Sequence, residues 1–453
     1  MRIHMIAIGG AVMHALALEL QRLGHVVSGS DDQIFDPARN RLLQAGLLPS
    51  TEGWDPQRVT SELDLVLLGM HARPDNPELQ KALALSLPVM SFPEFLGREW
   101  QRVPQVVVAG SHGKTTVTAL LMHTLRQAGW AFDYLVGSSV AGFERSVRIS
   151  PSSPLAIIEG DEYFSSPLDN RPKFMHYNPT HLILTGLAWD HANVYPDEAS
   201  YVEAFRSRLA SLPTGATVYY DLEDSVLRSL VTEFQGADWE AVGYEALPND
   251  SNTAEPHFLT ESGERISTHI FGRHNLKNMA AVRAVCRRLG LGDACIYQAF
   301  ATFEGAGGRL EKIWERAPDV AYMDFAHAPS KVRATVAAVR HRYPHHHFIA
   351  ALELHTYSSL SRNYLPLYAR TLEPADKAFV FYDNHALELK KLPSLTPAEV
   401  AEAFAGDVEV VAHDAQALAK AVLGSLRSPF VLLLMSSGSW QGLAWKSLLL
   451  ERK

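Results

Sequence analysis

Val106-Val107-Val108-Ala109-Gly110-Ser111-His112-Gly113-Lys114-Thr115-Thr116 decides the fold. A β-branched strand runs into a glycine-flanked turn, the turn closes on Lys-Thr-Thr, and a helical pattern follows from Thr118 to Gln127. Backbone N–H groups in such a turn, and at the helix N-terminus behind it, point at anionic oxygens. Lys114 adds a mobile positive charge, and a threonine hydroxyl reaches Mg²⁺. The strict phosphate-loop pattern asks for a further glycine where this chain has Val108, so the loop is a shortened form, Gly-x-x-Gly-Lys-Thr-Thr. With a strand before it and a helix after it, the stretch reads as a polyphosphate site rather than an ordinary strand-to-helix turn.

Working outward, strands alternate with helical patterns on both sides of the loop. That rhythm implies mainly parallel sheets covered on both faces, an α/β class. The 453 residues leave room for roughly two to four domains. The first block opens with a strand over Ile3 to Ile8, Gly9-Gly10, a helix through Leu23 and a second strand from Val26 to near Asp31. Its glycine fingerprint is broken, with Ala7 and Val12 where two further glycines belong, which weakens a nicotinamide reading. Leu63 to Leu68 is a further strand, and Pro93 to Pro104 reads as a connector. The central block continues with strands at Leu155 to Ile158 and His181 to Leu184, and helices over Ala199 to Leu212 and His274 to Leu289. Gly305-Ala306-Gly307-Gly308 suits a hinge, and beyond it strands are expected at Ala321 to Asp324, His347 to Leu352, Ala378 to Tyr382, Val408 to Val411 and Phe430 to Met435.

Composition narrows the function. A net charge of −9 argues against a general nucleic-acid binder. The two cysteines, Cys286 and Cys295, fall in one helical region and imply no disulfide framework, as in a reducing cytosol. Met1 to Ile8 lacks the features of a signal peptide. The longest apolar run, Phe430 to Met435, is far short of the ~20 residues of a membrane span. A cytoplasmic enzyme with no membrane partner is expected.

Polar groups gather where strands end, which is where open α/β sheets bind ligands. Glu159-Gly160-Asp161-Glu162-Tyr163 supplies oxygen ligands suited to Mg²⁺, from either Glu159 or Glu162, facing Lys114. In Trp189-Asp190-His191 the carboxylate is placed to orient the imidazole toward a metal or phosphate. In Gly272-Arg273-His274-Asn275, Asn275 either caps a helix or meets a purine edge, and the residue type favours the cap. Arg309 lies at the hinge, and Asp324-Phe325-Ala326-His327-Ala328-Pro329 follows another strand.

This ordered set resembles the Mur ligase family, the ATP-dependent amide-forming enzymes of peptidoglycan assembly, over nearly the whole chain. The resemblance implies three domains: a Rossmann-like UDP-sugar domain (1–103), a phosphate-loop ATPase domain (104–307) and a Rossmann-like amine-substrate domain (308–453). Glu159 to Tyr163, Arg171-Pro172-Lys173-Phe174-Met175-His176-Tyr177, Leu187 to His191 and Met435-Ser436-Ser437-Gly438 resemble the murein peptide ligase branch. That branch joins UDP-N-acetylmuramate to the tripeptide L-Ala-γ-D-Glu-meso-diaminopimelate. His355-Thr356-Tyr357-Ser358 is similar to a motif of the L-alanine-adding branch, which is the alternative. A catalytically weak nucleotide-binding regulatory protein is the alternative of another class.

The resemblance also implies roles. Gly110, Ser111, His112, Gly113, Lys114, Thr115, Thr116, Asn275, Arg309 and Asp324 would bind ATP. Thr115, Glu159, Glu162 and His191 would hold Mg²⁺, with Lys114, His191 and Glu162 catalytic. Gly9, Gly10, Ser30, Asp31 and His112 would meet the UDP-sugar, and His327 and His355 the peptide. A monomer or weak homodimer is expected. Departures are Ala7, Val12, Met323, Ala328 and Thr356, and Phe205 stands where some members carry a carbamoylated lysine.

Overall fold

The computed structural model describes residues 1–406 and 408–451, so Asp407, Arg452 and Lys453 of the third block lie outside it. Three parallel-type sheets follow one another along the chain. The first unit runs β1 (Arg2–Ile6), α1 (Ala11–Arg22), β2 (Val26–Ser30), α2 (Ala38–Gln44), β3 (Leu65–Leu68), α3 (Pro77–Ala84), β4 (Val89–Ser91) and α4 (Phe92–Glu99). Its sheet has the order β2-β1-β3-β4, all parallel. β1 stops two residues earlier than expected because Ala7 turns into the left-handed region at φ 67°. A residue with a Cβ adopts this conformation at a cost of about 1–2 kcal/mol. Ala7 and Ile8 both donate their N–H to the Ser30 carbonyl, which holds the turn against the end of β2.

The stretch read as a connector after Pro93 is largely helix. Ser91 caps α4 by accepting from the Glu94 N–H at 3.3 Å. Pro93 falls in the first turn, where a missing N–H costs nothing. Phe92, Phe95 and Leu96 then bury one face. The proline at the head of the expected connector thus marks a helix start.

The central unit contains β5 (Gln105–Ala109), α5 (Lys114–Gln127), β6 (Asp133–Leu135), β7 (Val147–Arg148), β8 (Ala156–Glu159), β9 (Phe164–Ser166), β10 (Asp169–Pro172), β11 (His181–Leu184), α6 (Glu198–Ala210), β12 (Thr217–Asp221), α7 (Ser225–Thr232), β13 (Glu240–Tyr244), β14 (His257–Leu259), β15 (Arg265–Ser267), α8 (Arg273–Arg288) and α9 (Asp293–Thr302). Its seven-stranded sheet has the order β13-β12-β11-β5-β8-β6-β7, parallel except for β6–β7. Val106, Val107, Val108 and Ala109 are fully buried, as a central parallel strand requires. β5 sits where the strand order reverses, so the loop after it opens at the topological switch point. Cys286 is buried on α8 and Cys295 lies on α9, the next helix of the same region.

The third unit holds β16 (Glu311–Arg316), β17 (Asp319–Asp324), α10 (Pro329–Arg342), β18 (His347–Leu354), β19 (Lys377–Tyr382), β20 (Val408–Ala412) and β21 (Phe430–Met435). The order is β16-β17-β21-β18-β19-β20, with only β16 antiparallel to its neighbour. Among the described residues, no helix is long and apolar enough to cross a membrane.

Candidate active site

The course of the loop after β5 depends on two glycines. Gly110 has φ 116° and Gly113 φ 69°. A Cβ on Gly113 would stand 2.5 Å from Asn278 Oδ1, and one on Gly110 2.8 Å from the Gly186 carbonyl. α5 starts at Lys114 with no side-chain cap and no acidic residue in its first turn. Its leading N–H groups therefore face the cavity as anion donors. That cavity, about 480 Å³, is lined by the whole loop from Ser111 to Thr116 together with Glu159, His191, Asn275, Arg309, Asp324 and His327.

The two candidate glutamates have different partners. Glu159, ending β8, accepts from Thr115 Oγ1 at 2.6 Å and from the Gly137 N–H at 2.7 Å. Glu162 is fully buried and meets Lys114 Nζ at 2.8 Å. Lys114 also donates to the Gly110 carbonyl at 2.7 Å. Burial works against the charge on Glu162, but Lys114 and His191 outweigh it and hold the carboxyl well below its usual range. Lys114 is likewise opposed by burial and raised by Glu162. Tyr201, on α6, donates to Glu162 Oε1 at 3.1 Å, and His191 Nε2 stands 3.5 Å from the same oxygen. Phe205, one turn along α6, is buried against Phe174 and Tyr201.

Among the described residues, no three His, Cys, Asp or Glu side chains form a ready-made metal site. Thr115 with Glu159, and His191 with Glu162, form two separate pairs. Mg²⁺ is usually held by one or two carboxylates, phosphate oxygens and retained waters. The donors present fit an Mg²⁺ that arrives with a nucleotide.

Asp190 does not orient His191 as expected. Its nearest approach to the His191 ring is 4.0 Å, and it caps the His191 backbone N–H at 2.8 Å instead. Its other oxygen pairs with Lys331 of α10 at 2.9 Å. His191 itself sits at φ 60°, its ring 4.3 Å from that of Tyr163. Asn275 is not the cap of α8 either, since Gly272 holds that position without a side-chain bond. Asn275 lies within the first turn, donating to the Phe271 carbonyl at 2.8 Å and accepting from Asn278 Nδ2 at 3.1 Å.

The third unit roofs the loop. His112 Nε2 is 2.6 Å from Ser330 Oγ on α10, and Nδ1 is 2.6 Å from Ser111 Oγ. The Ala188 N–H also donates to Ser111 Oγ. Burial, then Lys331, pushes the His112 pKa down to about 3. Arg309 lies partly buried over the Phe325 ring at 4.4 Å and reaches Thr115 Oγ1 at 3.4 Å. Asp324 is occupied by the N–H groups of Leu310 (2.7 Å) and Ala326 (2.8 Å), which fastens the hinge. His327 is buried, its Nε2 3.8 Å from Asp190. Ser330 and Lys331 were not foreseen from the sequence, and only their place in the first turn of a helix after a strand end marks them there.

The remaining candidates lie elsewhere. Gly9 N donates to Asp31 Oδ2 at 2.8 Å, and Gly10 precedes α1. Burial, with Asp32 nearby, raises Asp31 to about 6. The Ser30 side chain is wholly buried and bonded to Glu78 at 2.6 Å. His355, beyond β18, is half-exposed beside Glu353 and lines no part of the loop cavity.

Comparison with known proteins follows the same three units. Residues 2–102 match the family described as Mur ligase family, catalytic domain, residues 108–286 the Mur ligase middle domain, and residues 308–438 the Mur ligase, glutamate ligase domain. The chain is 30% identical to the UDP-N-acetylmuramate–L-alanyl-γ-D-glutamyl-meso-2,6-diaminoheptandioate ligase of Escherichia coli (strain K12), over 99% of this chain and 98% of that one. It is 31% identical to a UDP-N-acetylmuramate–L-alanine ligase of Roseiflexus sp. (strain RS-1), over 97% of this chain and 96% of that one. A murein peptide ligase from Psychrobacter arcticus shares the fold, with TM-score 0.70, 23% identity and coverage of 99% and 98%.

Proposed function

This chain belongs to the Mur ligase family, ATP-dependent enzymes that form C–N amide bonds, and from that membership we propose that it joins UDP-N-acetylmuramate to the tripeptide L-Ala-γ-D-Glu-meso-diaminopimelate. The observation that carries the chemistry is the buried meeting of Lys114, Glu162 and His191 beneath an uncapped helix N-terminus. Support for the substrate comes from the end-to-end likeness to the Escherichia coli enzyme of that name.

The reaction is acyl activation followed by aminolysis. A lactyl carboxylate oxygen bonds to the γ-phosphorus of ATP as the bond to ADP breaks. The alanine amine of the tripeptide then bonds to the acyl carbon, phosphate leaves, and the amine loses a proton. The physical problem is a crowd of anionic oxygens, and preorganised donors relieve it. The N–H groups of the loop after β5 and of the first turn of α5 cradle the phosphates. Lys114 leaves the Gly110 carbonyl and follows the charge that develops on the transferred phosphoryl group. Thr115 and Glu159 would hold one Mg²⁺, and Glu162 with His191 would hold a second. Bound there, Mg²⁺ supplies charge neutralisation for oxygens that would otherwise repel. Asn275 contacts the adenine edge, and Arg309 and Asp324 close the nucleotide site from the hinge. Gly9, Gly10 and Asp31 receive the UDP-sugar at the switch point of the first sheet, and His327 and His355 lie on the peptide side. α10 covers the loop and excludes water from the acyl phosphate.

The test is phosphate release from ATP with UDP-N-acetylmuramate and a panel of amines. Release with the tripeptide, and little with L-alanine, is expected. Release with L-alanine alone overturns the substrate assignment.

A further inference from the structure

The peptide Arg171–Tyr177 belongs to the resemblance, yet the nucleotide half of the site uses none of it. Within it Lys173 is unusual. It ends the β9–β10 ribbon and opens a short helical turn, and its side chain is only 10% exposed. The ammonium lies 2.5 Å from Asp161 Oδ2, 5.8 Å from the Tyr163 ring centroid and 5.6 Å from that of Phe92. Phe92 opens α4 of the first unit, so Lys173 is a buried cation on the seam between the sugar unit and the central unit. Its charge also reaches His71 in the loop after β3, where Asp32 pulls in the opposite sense.

The charge balance gives this cation a task. Three carboxylates, Glu159, Asp161 and Glu162, stand within four residues at the end of β8. Glu159 is met by neutral donors, Glu162 by Lys114 and Asp161 by Lys173. A sugar nucleotide reaching from Gly9-Gly10 toward Lys114 brings a diphosphate and a carboxylate past this acidic strand end. Arg171, the neighbouring cation of the ribbon, is already held by Asp169 at the surface. Asp161 keeps 36% of its side chain exposed, so the partner of Lys173 faces the open side of the seam.

We propose that Lys173 is a substrate-positioning residue of the sugar side, exchanging Asp161 for an anionic oxygen of the UDP-sugar and guiding the lactyl carboxylate toward Lys114. This rests on the function proposed above. A plain structural clamp between Lys173 and Asp161 makes the opposite prediction for one variant, which separates the two.

The experiment measures UDP-N-acetylmuramate binding by calorimetry without ATP, and KM for each substrate, in the wild type, Lys173→Met, Lys173→Arg and Asp161→Asn. Loss of a charge-assisted hydrogen bond should weaken sugar-nucleotide binding and raise its KM about tenfold in Lys173→Met. KM for ATP should stay within about twofold, because the ATP contacts lie elsewhere. Lys173→Arg should recover much of the loss. Asp161→Asn frees the ammonium, so sugar-nucleotide binding should hold or tighten. Unchanged sugar binding in Lys173→Met, or equal weakening in Asp161→Asn, overturns the proposal. If Lys173→Met does not fold, Asp161→Asn decides alone. A wild type that binds no UDP-N-acetylmuramate overturns the proposed function itself, and this inference with it.

Discussion

Replacing Lys331 by methionine should loosen the roof over the phosphate loop. Lys331 Nζ lies 2.9 Å from Asp190 Oδ2, with side-chain exposures of 21% and 3%. Removing one partner of a buried ion pair costs about 3–5 kcal/mol, because the other charge is left without compensation. Asp190 keeps the His191 N–H at 2.8 Å, and Lys331 sits toward the rim, so about 2 kcal/mol is the fitting figure. That corresponds to about a 30-fold fall in the ratio of closed to open seam. Other links remain, among them His112 to Ser330, Arg309 to Thr115 Oγ1, the Ala192 N–H to Ser358 Oγ at 2.8 Å, and Tyr364 OH to the Trp189 carbonyl at 3.0 Å. The seam should therefore open more often without coming apart. Amide hydrogen exchange reads this as protection lost by about 30-fold in residues 187–195 and at the start of α10, with β5 and β21 unaffected. Burial, and after it Lys331, pushes His112 and His327 down to about 3, so both imidazoles should titrate higher in the variant. Equal protection in the two proteins, with both histidines still titrating near 3, would refute the role given to this pair.

Three further outcomes can be checked directly. Lys114→Ala should lower ATP-dependent phosphate release by at least about a thousandfold while circular dichroism stays native, and near-normal turnover would remove it from the site. His191→Ala should lower activity, with added Mg²⁺ restoring part of it, and indifference to Mg²⁺ would take His191 out of the metal set. Asp31 titrates at about 6 when folded against an ordinary 3.8, so its favourable contribution is complete below 3.8 and lost as pH rises through 6. Asp31→Asn should therefore melt higher than the parent at pH 7.5 and match it near pH 3.8, and a melting difference independent of pH would contradict the burial argument.

The fold was legible where the signal is local. The apolar runs at His181–Leu184 and Phe430–Met435 are strands with the bounds expected, since a strand buried on both faces must be apolar throughout. The loop after β5 was legible because glycine and Lys-Thr-Thr serve one geometry. Errors arose where position outweighs residue type. Pro93 starts a helix because Ser91 caps it, and Asn275 is not a cap because Gly272 is. Asp190 and His191 adjoin in sequence, yet Asp190 turns to Lys331, 141 residues away. No periodicity encodes such a pairing, since only the docking of α10 on the loop creates it. Tyr201 was hidden for a similar reason, for a tyrosine on a helix reads as core until Glu162 is seen beside its hydroxyl.

The resting arrangement of Lys114 bears on why two glutamates and a histidine are needed. Its ammonium is already satisfied by the Gly110 carbonyl and Glu162, so a phosphate oxygen must compete for it. If Lys114 turned to phosphate with nothing to replace it, Glu162 would be a buried, uncompensated carboxylate, which is costly. His191 stands 3.5 Å from Glu162 and Tyr201 donates to it at 3.1 Å, so the carboxylate keeps two partners while the lysine moves. On the proposed reading, Glu162 and His191 would hold a Mg²⁺, which would supply positive charge where the lysine had been. Glu159 has a separate set of partners, the neighbouring Thr115 hydroxyl and the Gly137 N–H. His191 and Tyr201 thus let Lys114 turn to a phosphate oxygen without leaving Glu162 a bare buried charge.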